Sequence, residues 1–197
     1  MQTIKTLIAA AAVAMVAVLG FAYSGTYDIS ADAPHSGFTK WLFSTTKHAS
    51  VKRQASNIEV PDLSDEALIL AGVNDFKGMC AECHGAPGQA AKAMAQGMNP
   101  APPDLAEEVL ELSAAELFWV TKHGIKMTGM PAWGVTHDDD TIWPVIAFIT
   151  TLPELDATQY QEMLTRAGSL GHHADAAAHP DEAPQEPDQH DHSRHEH

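Results

Sequence analysis

The sequence predicts an all-α fold with long loops, and three observations carry that reading. Apolar residues recur at helical spacing, most plainly Ile142, Val145, Ile146 and Ile149. Helix-start signals stand at Ser113 with Glu116 and at Asp138 to Asp140. No stretch alternates apolar and polar residues as a half-buried strand does, and no segment repeats. With 197 residues, of which 45% are apolar, the chain has room for one packed domain and appendages.

Residues 1–24 form the first segment. From Thr6 to Tyr23 the chain carries no charge and follows a lone Lys5. The run exceeds the roughly 7 to 15 residues of a usual secretory core and approaches the about 20 that span a bilayer. No convincing small-x-small cleavage site follows it, so it reads as an uncleaved anchor, with a cleaved signal as the alternative. Lys5 on the short flank then leaves the N-terminus cytoplasmic and everything after Tyr23 on the outer side. Residues 25–59 read as a juxtamembrane linker. Between Pro34 and Asn57 it holds Lys40, Lys47, Lys52 and Arg53 and no acid, and it places Phe38, Trp41 and Leu42 on one helical face. Two readings stay open: a basic amphipathic helix resting on anionic headgroups, or a helix packed on the domain or simply connecting to it.

The main domain is expected over residues 60–167. Ser64, followed by Asp65 and Glu66, predicts a helix start, with Leu68, Ala71 and Phe76 facing inward and the helix running to the cysteines. Gly85 to about Leu112, with "NPAPPDL" inside it, reads as a long loop. The Ser113–Glu116 capping box opens a short helix that Gly124 closes in the left-handed conformation. After the Gly- and Pro-punctuated "IKMTGMPAWG" comes a helix with Trp143 and Phe148 beside its apolar stripe and Pro144 near its start. A last helix, about Asp156 to Arg166, uses Tyr160, Met163 and Leu164 and ends at Gly168. Residues 168–197, crowded with His, Asp, Glu, Pro and Ala, read as a disordered tail.

The formal charge is −15, of which the tail's seven acids and one arginine carry six, leaving −9 for the rest. Such a balance argues against nucleic acid, whose binders need cationic surfaces to displace counterions.

Both cysteines stand in "MCAECHGAPG". A structural zinc site would need about four ligands, and there is no second pair. A thioredoxin-like pair needs a strand before it, whereas a helix is predicted here. A disulfide would close a tiny ring and leave His84 without a reason. Cys80, Ala81, Glu82, Cys83 and His84 instead fit covalent haem attachment, with two thiols for the two vinyl groups and an imidazole placed under the iron. That reading calls for a second axial ligand downstream, and a thioether is the familiar partner where iron shuttles electrons. The candidates are Met94, Met98, Met127, Met130 and Met163. Met130 is preferred over its rival Met127, because Pro131 stiffens the following loop and Gly129 permits close backbone approach. Met94 and Met98 read as packing around the haem edge.

"CAECHG" after a helix, "PPDL", "HGIKMTGMPAWG" and an aromatic C-terminal helix together resemble a class I c-type cytochrome over roughly residues 60 to 155. The wider arrangement, with "YDISADAPH" and "LPELDA", is more loosely similar to membrane-linked monohaem cytochromes of proteobacteria. The resemblance implies a helical domain around one covalent haem c, with Cys80 and Cys83 as thioether residues, His84 as proximal and Met130 as distal ligand. It also implies that Pro103 offers its carbonyl to the His84 N–H, with Pro100 and Pro102 as competing choices. Trp119, Trp133 and Trp143 would seal the haem from water or serve as ordinary core aromatics. His123 reads as a surface or propionate-side residue.

Seven of the twelve histidines lie in the tail: His172, His173, His179, His190, His192, His195 and His197. With the neighbouring carboxylates they suit a divalent transition ion, against the plainer readings of a solubilising tail or an affinity tag. The leading expectation is a membrane-anchored electron carrier on the periplasmic side, not an enzyme by itself, meeting redox proteins as donor and acceptor. The alternatives are redox-linked copper or metal handling through the tail, and a haem subunit of a membrane oxidase or dehydrogenase complex.

Overall fold

The computed structural model describes residues 2–168, which hold nine α-helices and no β-strand. Gln2–Tyr23 is α1, apolar and exposed along its whole length. It is long enough to cross a membrane, and an N-terminal signal sequence has the same character. Gly37–Ala55 is α2, started by Ser36, whose hydroxyl accepts from the Thr39 N–H. A hydrogen bond ties the linker before it to the domain, Asn99 Nδ2 donating to the Ala33 carbonyl at 3.0 Å.

The core is built by Glu66–Met79 (α3), Asp139–Ile149 (α8) and Ala157–Gly168 (α9). Asp65, not Ser64, caps α3: its carboxylate accepts from the Ala67 N–H at 3.0 Å, while Ser64 turns back to Asp62. The buried face of α3 is Leu70, Gly72, Val73 and Phe76; the expected Leu68 and Ala71 are only half-buried beside it. Gly72 lies directly against the Pro144 and Val145 backbone of α8, so the two helices cross at a point with no room for a Cβ. Asp138 caps α8 by accepting from the Thr141 N–H at 3.0 Å. Pro144 removes one donor from that helix, and the carbonyl it would have served belongs to exposed Asp140 at the solvent-facing start of the helix. Tyr160 of α9 closes the core against Phe76 and Phe148, with centroids 6.3 and 6.0 Å away, and Arg166 pairs with Glu66 to tie α9 back to α3. Each large side chain buried here contributes roughly 1.5–3 kcal/mol of transfer free energy.

Ala81–His84 (α4) is a single turn, and two more, Ala93–Gln96 (α5) and Leu105–Glu108 (α6), break the loop expected from Gly85 to Leu112. Asp104 caps α6 through the Ala106 N–H at 2.8 Å. Ala114–His123 is α7, and its capping box is complete: the Ser113 hydroxyl accepts from the Glu116 N–H, and Glu116 Oε2 accepts from the Ser113 N–H at 2.8 Å. The hydrogen bonds from Ser113 hold Glu116 below the usual carboxylate value. The box therefore contributes fully above the ordinary value and is lost as pH falls through the lowered one. Ser113→Ala should cost about 1 kcal/mol at neutral pH. Parallel thermal melts of the two proteins should converge as the solution is acidified.

The two readings of α2 divide along its length. Val51 and Ala55 are buried toward α7, and Lys47 pairs with Glu108 of α6 at 3.6 Å. Phe38, Trp41, Leu42 and Phe43 at the other end are exposed.

Candidate haem site

The cysteine motif follows α3 without a break. Cys80 is the last residue bonded to that helix, its N–H donating to the Phe76 carbonyl at 2.8 Å, and α4 turns at once to present His84. Gly85 then releases the chain at φ 77°, where a Cβ would stand 2.8 Å from the Gln89 carbonyl. Cys80 is buried and Cys83 half-buried, and both thiols are free. Burial, then the nearby charges of Asp75 and Cys83, push the Cys80 thiol up to about 12. His84 Nδ1 lies 2.8 Å from the Pro103 carbonyl. A carbonyl only accepts, so Nδ1 is the donor, and in the neutral ring this leaves the lone pair on Nε2, the form in which imidazole binds a metal.

Cys80, Cys83, His84 and Pro103 line one cavity, and Met130 lines it too. The Met130 loop is held by a residue the sequence analysis passed over. Thr128 donates its hydroxyl to the Ile125 carbonyl at 2.8 Å and accepts from the Met130 N–H at 3.1 Å, while the Ile125 N–H donates to the Met130 carbonyl at 3.3 Å. A Thr two residues before the candidate ligand was the available signal, since its hydroxyl readily bonds nearby backbone. Gly124 has the expected positive φ, 63°, but its ψ of −172° is extended, not that of a left-handed helix cap.

Of the other methionines, Met98 lines the cavity and packs on the Met130 loop, where a Cβ on Gly129 would meet its Sδ at 2.5 Å. Met94 is exposed, Met127 is 91% exposed, and Met163 packs on the core. Among the tryptophans, Trp133 alone reaches the cavity. Trp143 stacks on Phe118 at 4.0 Å and Trp119 lies on His123 at 5.0 Å, and both tryptophans border a separate surface groove that includes His123. The expectation that all three shield one site is corrected accordingly. The histidine tail falls outside the described residues; among those described, no three His, Cys, Asp or Glu groups gather as a metal centre would require.

An all-helical domain whose cysteine pair, histidine and methionine line one apolar cavity has the arrangement of a class I c-type cytochrome, the class whose members carry electrons on haem c. The particular likeness is to the family described as cytochrome c oxidase, cbb3-type, subunit III, whose model matches residues 67–149, from α3 to the end of α8. No curated protein and no solved structure matches the chain.

Proposed function

We propose that the chain holds one haem c and relays single electrons between redox proteins at the periplasmic face of an inner membrane, to which α1 anchors it. The donor set fits that group. The thiols of Cys80 and Cys83 would each add across a vinyl double bond, the sulfur bonding one carbon and the thiol hydrogen passing to the other. His84 would ligate through Nε2 and Met130 through its thioether, and Pro103 would fix the imidazole tautomer. When bound, haem supplies a reversible one-electron iron couple, and thioether ligation raises its potential. The observation that carries the reading is the 2.8 Å contact of His84 Nδ1 with Pro103 beside a cavity that Met130 also lines. With His84 and Met130 both holding the iron, no site would remain on it for a substrate, so the domain would serve as a relay and not as an enzyme.

The test is an absorption spectrum of the full chain, oxidised and reduced, from a host that attaches haem. The oxidised protein should show the far-red thioether-to-iron band, and Met130→Ala should lose it and lower the midpoint potential. A band that survives the substitution removes Met130 as ligand. The description of the matching family favours a second reading, a haem subunit of a membrane oxidase complex. Isolation of a stable larger complex from membranes would support it, and a lone monomer would count against it.

A further inference from the structure

The haem cavity is not closed by the matched segment alone. Lys47, His48 and Val51 of α2, which precedes residues 67–149, line it as well. The rest of the lining is almost wholly apolar. Apart from the cysteines and His84, the ionisable residues on it are Lys47, His48 and Glu108. Val51 is 4% exposed, so α2 is seated on the domain at this point. His48 is turned to its own helix, Nδ1 lying 2.7 Å from the Ser44 carbonyl. Lys47 is the remaining cation, at 3.6 Å from Glu108, with the two side chains 34% and 24% exposed.

We infer that α2 is part of the haem site and that Lys47 receives a carboxylate of the cofactor. The inference rests on the function proposed above. Haem is an apolar macrocycle with two carboxylates on one edge, and it settles with that edge where a cavity is charged. Here that place is the junction of α2 and α6. Glu108 is the opposing charge at the same spot, so Lys47 and Glu108 act on the iron with opposite sign. A cation near the haem favours the reduced state, which carries one positive charge fewer; an anion disfavours it.

The experiment is spectroelectrochemical titration of the full haem-loaded chain and three variants, with haem content, the far-red band and the melting temperature recorded alongside. Lys47→Gln should shift the reduction equilibrium three- to tenfold toward the oxidised form, where tenfold is about 59 mV for one electron. Glu108→Gln should shift it the other way, and Lys47→Arg should stay near wild type. A Lys47→Gln protein with wild-type potential and a lowered melting temperature would make Lys47 a strut between α2 and α6, and would overturn the inference. Equal potentials in all four proteins would overturn it too. Neither result touches the proposed function, which fails instead if no haem is attached or if the far-red band is indifferent to Met130.

Discussion

Gly72→Ala is expected to destabilise the core of the domain at its tightest helix crossing. The new Cβ would fall on the Pro144 carbonyl and the Val145 N, which are backbone atoms of α8 that no rotamer change can move aside. The crossing of α3 and α8 must open, and Val73, Phe76, Val145 and Ile146, all buried around it, must part with it. Overpacking in well-filled cores costs about 1–3 kcal/mol and more where nothing yields. Replacing a helical glycine by alanine returns only about 1 kcal/mol. With only backbone atoms to yield, the upper end of that range applies and a net loss of about 2 kcal/mol follows, which in a domain of about 100 residues lowers the midpoint of a thermal melt by roughly 8–16 °C. A melt within a degree or two of wild type would mean that the helices approach less closely than described. Gly78→Ala, on the same helix with open space at its Cβ, is the control and should be neutral or stabilising.

Gly124→Ala should act on the site instead of the core. Its φ of 63° is unfavourable for alanine, at about 1–2 kcal/mol, and its Cβ would stand 2.7 Å from the Met130 carbonyl and from the Pro131 carbonyl carbon. Adding about 1–3 kcal/mol for the clash gives a total near 2–5 kcal/mol. The loop has a cheaper escape than global unfolding, which is to move away from α7 and take Met130 with it. The expected signature is therefore loss of the far-red band with haem still attached and a far-ultraviolet circular dichroism spectrum close to wild type. Retention of the band with a lower melting temperature would show that the loop holds Met130 in place despite the clash.

Much of this was legible in the sequence because its signals are local. The box at Ser113 and Glu116 and the cap at Asp138 are each completed within three residues, so no distant contact decides them. Cys80, Cys83 and His84 belong to one short motif, and Gly129 and Pro131 flank Met130. Most of what was misread depends on contacts far along the chain, and the choice of cap for α3 on a local competition. Gly72 carries no local sign of the helix crossing, which depends on Pro144 being set against it. Ser64 and Asp65 are both good caps, and only the turn that Ser64 makes with Asp62 separates them. Trp119 and Trp143 lie close in sequence to the Met130 loop but face another groove. The seating of α2 was undecidable because Val51 and Ala55, four residues apart, suit either a protein or a lipid surface.

The hydrogen bond between Asn99 and Ala33 also sets a leash length. It holds the linker to the domain at Ala33, so only Ser24 to Asp32 separates that point from the end of α1. At roughly 3.3–3.6 Å per extended residue, those nine residues reach about 30 Å. With α1 in a membrane, the domain is confined to a thin shell above the bilayer. An acceptor held in the same membrane would then be sought by lateral diffusion within that shell, whereas one diffusing in the bulk would gain nothing from the leash.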